Sequence, residues 1–338
     1  MHTLSAVQTV EKLNTRELSA HQVLDFLNKR IDLLDPKLNA FLYRCTAEVS
    51  DNKASTILAG LPISFKDQYH IEGLPCSFGM PKAKSSAYTA NLVQVLLDNG
   101  ANILGKTSLP PFAMDFQTSN EMRGFCNNPW NRLYTCGGSS GGGAAAIASG
   151  MSLIDFGTDL AGSLRIPASF CGVYSLLPSE GRLSNEGIFV DESQNIDHFA
   201  RTGPITRTIE DLDFIWRVLM DTRPLEENAV NTRDLKIAFW QQAENLPVDQ
   251  DIITAMNDTL DQWRANGHNC RLTKPTELSF SECWQVFGEM MGYEVAGLMN
   301  PVIRWFIILT SGKSIKNSPN FIKNVIQGYR RNNKSYQK

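Results

Sequence analysis

The chain has 338 residues, a formal net charge of −3, 42% apolar residues and 20% charged residues. That length suits one large domain or two modest ones with an ample buried core, and the composition is that of a soluble globular protein. The near-neutral charge leaves no electrostatic footprint for nucleic acid, and seven cysteines without a CxxC pair read as free thiols in a reducing, cytoplasmic setting. The N-terminus lacks a basic start followed by an apolar run, so no secretory signal is expected. No stretch reaches the roughly 18 apolar residues of a membrane span. Met299–Leu309 comes nearest, and it contains Arg304.

The opening is helical. Ser19 and Gln22 have capping-box spacing, and Leu24, Leu27, Ile31 and Leu34 follow on one face. Asp35-Pro36 is expected to stop that helix. Strands are predicted over Leu38–Arg44 and Pro62–Lys66. A helix follows at Leu92–Leu97, ended by Asn99-Gly100, and then a strand at Ala101–Leu104. An irregular stretch, Ser108–Tyr134, leads into CGGSSGGGAAAIASG at Cys136–Gly150. Within it a helix is predicted over Ala144–Ser149, followed by a buried strand over Ser152–Asp159. Farther on come a helix at Thr208–Leu219, a polar link near Arg223–Thr232 and a strand at Lys236–Trp240. A helix at Ile252–Ala265 and a strand beginning at Cys270–Leu272 complete the series. Strands alternating with helices argue for an α/β sheet domain. The tail Thr310–Lys338 carries seven basic residues and no acidic one, which reads as a solvated helix face.

Three short patterns compete for the chemistry. Gly100-Ala-Asn-Ile-Leu-Gly105-Lys106-Thr107 spells a phosphate loop, but that loop needs a strand before it and a helix after it. Here a helix comes before, and Ile103-Leu104 reads as a buried strand in the loop's place. Gly141-x-Gly143-x-x-Ala146 is a loose dinucleotide fingerprint with no strand leading into it. Gly137-x-Ser139-x-Gly141 spells a nucleophile elbow, which would pair Ser139 with His198 or His268. The apolar strand that should feed the elbow is missing, and both histidines sit in loop-like sequence.

The longer blocks around these patterns decide among them. GGSSGG followed by GTDLAGSLRIPASFCGVYSLLPSEGR resembles the signature of the amidase signature family. PISFKDQYHIEGLPCSFG upstream resembles the family's lysine segment, and DHFARTGPITRTIEDLDFIW resembles the stretch after the signature. The blocks stand in order, and the resemblance is clear from about Ser5 to Met220. It implies a mixed central β-sheet covered by helices on both faces. It further implies one domain over residues 1–338, with a signature core at 60–220 and a part at 221–338 that is shortened relative to the family. The later family region, which completes the sheet and part of the substrate pocket, is expected to be missing. An unfinished sheet would expose an edge or an apolar patch for a partner or a homodimer to cover.

The resemblance also implies roles. Ser163 matches the nucleophile, Ser139 the serine that follows a cis peptide bond and relays the proton, and Lys66 the base. The backbone amides of Leu160, Ala161, Gly162 and Ser163 match the oxyanion donors. Asp159 and Arg165 match positions that brace this turn, and Ser140 a polar position beside the relay. The implied reaction is hydrolysis of a small-molecule amide, with no metal and no cofactor. A lysine can serve as base only when neutral, so its pKa must fall from ~10.4 to roughly 7–8 by burial or neighbouring positive charge. Asp67 would oppose that fall unless strand alternation turns it away. Ala161 stands where many family members have glycine, which strains the turn if its φ is positive and is harmless otherwise. Beside the elbow, two further readings remain. One is a catalytically impaired, shortened family member. The other is the glutamine-hydrolysing subunit of a tRNA amidotransferase, in which a glutamine commonly follows the signature arginine, where this chain has Ile166.

Overall fold

The structure is a computed structural model in which residues 4–45, 56–189, 199–221, 232–240, 247–273, 279–297 and 324–327 are described. The chain falls into two compact units, Met1–Arg223 and Pro224–Lys338.

The first unit begins with α1 (Ala6–Asn14) and α2 (Ala20–Leu38), each opened by a capping box, Ser5 with Gln8 and Ser19 with Gln22. Each box satisfies two backbone donors that a helix start would otherwise leave bare. The elements that follow are β1 (Phe41–Arg44), β2 (Pro62–Lys66), α3 (Asn91–Asp98) and β3 (Asn102–Thr107). A small hairpin, β4 (Ser119–Asn120) with β5 (Gly124–Phe125), precedes α4 (Gly141–Ala148) and β6 (Ile154–Asp159). Last come α5 (Arg165–Cys171), β7 (Tyr174–Ser175), β8 (Arg201–Thr206) and α6 (Ile209–Met220).

Six of these strands form one sheet in the order β1-β3-β2-β6-β8-β7. The central three, β3, β2 and β6, are parallel, and the outer pairings are antiparallel. The sheet is therefore mixed, and its connections place the helices. From β2 the chain crosses through α3 to β3 on one side, then through α4 to β6 on the other. Both crossovers join parallel strands and run in opposite directions across the sheet. With the right-handed rule for such crossovers, α3 and α4 lie on opposite faces. The centre of the sheet is dry: every residue of β2 and of β6 is buried. Phe65 and Phe156 stack with ring centroids 5.8 Å apart, and Tyr69 packs beside Phe65.

Four sequence expectations change. The helix α2 runs through Pro36 to Leu38 instead of stopping there. Its end is fastened from outside the helix, because Asp35 accepts the amides of Ala40 and Phe41 and the guanidinium of Arg123. The strand expected from Leu38 accordingly starts only at Phe41. The helix α4 starts three residues early, inside the glycine run. A poor helix former is kept there by packing, as the site geometry shows. The strand at Ala101–Leu104 is longer, Asn102–Thr107, and swallows the end of the phosphate-loop match. Lys106 is fully buried within it, 3.1 Å from the Asp67 carboxylate and donating to the Pro75 carbonyl at 2.9 Å. Nothing in that arrangement could cradle a phosphate.

In the second unit β9 (Lys236–Phe239) and β10 (Asn269–Leu272) pair in parallel across α7 (Gln250–Ala265), with α8 (Phe280–Gly297) following. The apolar run Met299–Leu309 and His198 lie outside the described residues. So do the polar link, apart from Thr232, and the basic tail, apart from a helical piece at 324–327. Among the described residues no helix is long and apolar enough to cross a membrane, and the seven cysteines are not bonded to one another.

The Asp67–Lys106 pair is fully buried. Burial raises the Asp67 pKa, against the pull of Lys106 and the Ser77 hydrogen bonds. Lys106→Met removes the compensating charge and should cost about 3–5 kcal/mol. Urea unfolding of the two proteins measures this, and a loss below about 1 kcal/mol would show the pair to be dispensable.

Candidate active site

The strand β2 ends at Lys66, and its burial follows from its place in the sheet. Strands β3 and β6 flank β2, and α4 packs over it, so the lysine cannot reach water without unpacking the core. Its side chain is 0% exposed. The Lys66 amine nitrogen lies 2.7 Å from Ser139 Oγ and 2.8 Å from Thr158 Oγ1, and Thr158 Oγ1 donates to Gln68 Oε1 at 2.8 Å. Burial lowers the Lys66 pKa to about 7, although the carboxylates of Asp159 and Asp155 pull it back up. Asp67 is not among the groups acting on it, because its carboxylate turns to Lys106 and to the amide and hydroxyl of Ser77.

The residues Gly137–Ser140 bring Ser139 to the lysine. The Gly138–Ser139 peptide is cis. The next residue, Ser140, is tied to the end of β6: its hydroxyl donates to the Thr158 carbonyl at 3.1 Å and accepts from the Thr158 amide at 3.2 Å. Its own amide donates to the Ser163 carbonyl at 3.1 Å. The segment with Ser139 and the turn with Ser163 are thus pinned to each other through Ser140. Ser163 is buried, 7% exposed.

The glycines of this region make room for close neighbours. A Cβ on Gly142 would sit 2.3 Å from the Ser108 backbone nitrogen, and one on Gly143 would sit 2.0 Å from Asp155 Oδ1. Both are contacts no real side chain tolerates. The run GGG therefore lets the first turn of α4 lie directly on the end of β3 and on β6.

The turn after β6 is organised by Asp159. Its carboxylate accepts the amides of Gly162 (2.7 Å) and Leu164 (3.1 Å), and both Nε and an Nη of Arg165 at 3.0 Å. Burial works against the Asp159 charge. The Arg165 guanidinium and the two amides outweigh it and leave the pKa below its ordinary value. Asp159 and Arg165 thus stand where a brace for the turn was expected. Of the expected oxyanion donors, the Gly162 amide is committed to Asp159 Oδ1, which leaves Leu160, Ala161 and Ser163 as the amides to consider. Gly162 has φ +119°, a conformation suited to glycine, whereas Ala161 is not among the residues with positive φ. Alanine therefore sits at position 161 without strain.

No strand leads into Gly137, as an elbow requires, only an isolated bridge between Asn127 and Thr135, and Ser139 Oγ meets a lysine. Three participants escaped sequence reasoning: Thr158, Gln68 and Asp155. Thr158 is part of the GTD block, so its place beside Asp159 was the available signal. Gln68 lies in the lysine block, two residues after Lys66, and Asp155 lies in no block.

Comparison with known proteins gives the family. The amidase family model matches residues 22–322, and the chain belongs to that family, the amidase signature enzymes. Among curated relatives, a glutamyl-tRNA(Gln) amidotransferase subunit of Prochlorococcus marinus (strain MIT 9211) is 36% identical over 234 residues, 65% of this chain and 47% of the relative. Its counterpart from strain MIT 9303 is 31% identical over 319 residues, 90% of this chain and 63% of the relative. The chain thus spans about half to two thirds of the length of these relatives. A solved structure of 6-aminohexanoate cyclic dimer hydrolase, complexed with substrate, superposes with TM-score 0.77 at 23% identity, covering 99% of this chain and 72% of that one. A bacterial aryl acylamidase of the amidase signature family superposes with TM-score 0.77 at 24% identity over 97% of this chain and 72% of that one. At these identities the two structures show a common fold.

Gly142→Ala places a methyl group against the backbone of Ser108, where little can yield. The expected loss is roughly 1–3 kcal/mol. Comparing thermal unfolding of the variant and the parent checks it, and an unchanged Tm would mean that α4 has room the geometry does not show.

Proposed function

We propose that the protein hydrolyses a carboxylic amide by acyl transfer to Ser163, with Ser139 as proton relay and Lys66 as base. The observation that carries this reading is the buried Lys66 bonded to Ser139 Oγ at 2.7 Å. A serine hydroxyl is a weak nucleophile without a base in reach. A lysine with a pKa lowered to about 7 supplies one, since much of it is neutral at neutral pH.

In the proposed sequence Ser163 Oγ attacks the amide carbonyl. Its proton passes to Ser139, whose own proton passes to Lys66. The carbonyl oxygen becomes an oxyanion and is received by backbone amides of the 160–163 turn. The proton on Lys66 then returns through Ser139 to the departing amine, leaving an acyl group on Ser163. Water repeats the path and releases the acid. Asp159, held by Arg165, keeps the turn in shape, and Ser140 holds the two serine segments together.

A second reading is favoured by the names of the sequence relatives, which are subunits of a glutamyl-tRNA(Gln) amidotransferase. The amide would then be that of glutamine, and the chain would work with partner subunits. Ile166 weighs against this, because an isoleucine offers no polar group beside the signature arginine. In either reading, assembly as a homodimer and a cytoplasmic location are part of the proposal.

A fluorophosphonate probe tests the chemistry without knowledge of the substrate. It should label Ser163, with labelling lost in Ser163→Ala and slowed roughly 10²–10⁴-fold in Lys66→Ala. A lysine base is active when neutral, so labelling should rise as the pH climbs through about 7. Labelling mapped to Ser139 would overturn the relay, and a folded protein that labels nowhere would favour a catalytically impaired relative. Ammonia release from glutamine, compared with release from aryl and alkyl amides, separates the two substrate readings.

A further inference from the structure

Behind Lys66 lies a second buried titratable group that the reaction scheme leaves unused. Asp155 is on β6, directly opposite Ser64 of β2. Its carboxylate Oδ2 accepts from Ser64 Oγ at 2.6 Å and from Thr107 Oγ1 at 3.1 Å. Its Oδ1 is buried against Gly143 and has no hydrogen-bond partner. Ser64 and Lys66 are two residues apart on one strand, so their side chains leave the same face of the sheet. Asp155 therefore leaves the same face of the sheet as the amine, and its charge is felt by Lys66.

An ionised carboxylate with a bare oxygen is costly in such a place unless a cation compensates it. The other charges nearby are already engaged. Asp67, just after β2, and Lys106 of β3 neutralise each other. On β6, Asp159 is bonded to Arg165. The helix α4, GGGAAAIA, has no titratable side chain. From α2, Asp35 is bonded to Arg123, and Arg30 donates to the Ser149 carbonyl. The Tyr69 hydroxyl donates to the Gly157 carbonyl, and burial keeps it neutral. Lys66 is left as the cation available to Asp155.

We propose that Asp155 is a positioning residue for the base: its buried carboxyl acts on Lys66 through its charge and so sets the pH at which the amine becomes neutral. With one proton between them, the pair is either a carboxylic acid beside a free amine or a carboxylate beside an ammonium ion. The first form can accept the proton relayed from Ser163, and the second cannot. The carboxylate also makes the amine a stronger base once Asp155 has ionised. Burial raises the Asp155 pKa to about 7, against the hydrogen bonds from Ser64 and Thr107 and the charge of Lys66. The two groups therefore titrate in one range and report macroscopic values that belong to the pair.

The proposal rests on Lys66 being the base, and the experiment separates the two claims. The rate of fluorophosphonate labelling at Ser163 is followed against pH in the parent, Lys66→Ala, Asp155→Asn and Ser64→Ala. Asp155→Asn removes a negative charge that favours the ammonium, so its acid limb should move to lower pH by on the order of one unit. Ser64→Ala removes a bond that stabilises the carboxylate, so its limb should move the same way by less. A folded Asp155→Asn protein whose limb superimposes on the parent's overturns the role of Asp155, with Lys66 untouched. If Asp155→Asn does not fold, Ser64→Ala decides by the same criterion. A parent that does not label, or a Lys66→Ala protein with the parent's acid limb, overturns the base and this proposal with it.

Discussion

The rest of the first unit is arranged around one cost, that of a lysine held away from water. An ammonium ion without solvent is unfavourable by several kcal/mol, and the group yields by giving up its proton. The neighbours of Lys66 fit a neutral amine better than a cation. They are the two hydroxyls of Ser139 and Thr158. Carboxylates are abundant in the region, yet Asp67 is turned to Lys106 and Asp159 to Arg165. The sequence neighbour Asp67 shows how the separation is made. Alternation along the chain sends it across to β3, where the lysine of a chance phosphate-loop match neutralises it.

The glycine run between Cys136 and Ala144 serves the same end by geometry. A dry lysine needs a roof, and α4 is that roof. The helix can lie on β6 only because position 143 has no side chain to collide with Asp155, and on the end of β3 only because position 142 has none to collide with Ser108. Glycine is a poor helix former, so the burial gained by this close approach has to outweigh the lost propensity. The phosphate cradle or nucleophile turn that the run spells in sequence is replaced by contact with the strands beneath.

Elements whose cause is local are legible in the sequence. The strand Pro62–Lys66 is five residues of dry sheet, and its bounds agree with the expected ones. The helices at 91–98, 209–220 and 250–265 carry their periodicity within their own residues, and the last two carry their caps as well. The exceptions have distant causes. The extension of α2 through Pro36 depends on Arg123, far along the chain. The strand β8, Arg201–Thr206, contains a proline and a glycine and is held by pairing with β6 along its whole length. In the site, Lys66, Ser139 and Ser163 are legible through family blocks. Thr158 and Gln68 lie in those blocks as well, but what joins them to Lys66 is strand order, which no short stretch encodes, and Asp155 lies outside the blocks.

The turn from Asp159 to Arg165 shows how a site can be made rigid. One carboxylate gathers two amides and both arms of a guanidinium, and the arginine remains partly open to solvent while the aspartate is buried. Such a clamp fixes the direction of every peptide between its ends. It also commits the Gly162 amide to structure, so any oxyanion formed at Ser163 must look to the amides on either side. A donor fixed in advance costs no reorganisation when charge appears, and each is worth about 10²–10³ in rate. The glycine at 162 is then required by its backbone angle and its bond to Asp159. Position 161 tolerates alanine because its φ is not positive.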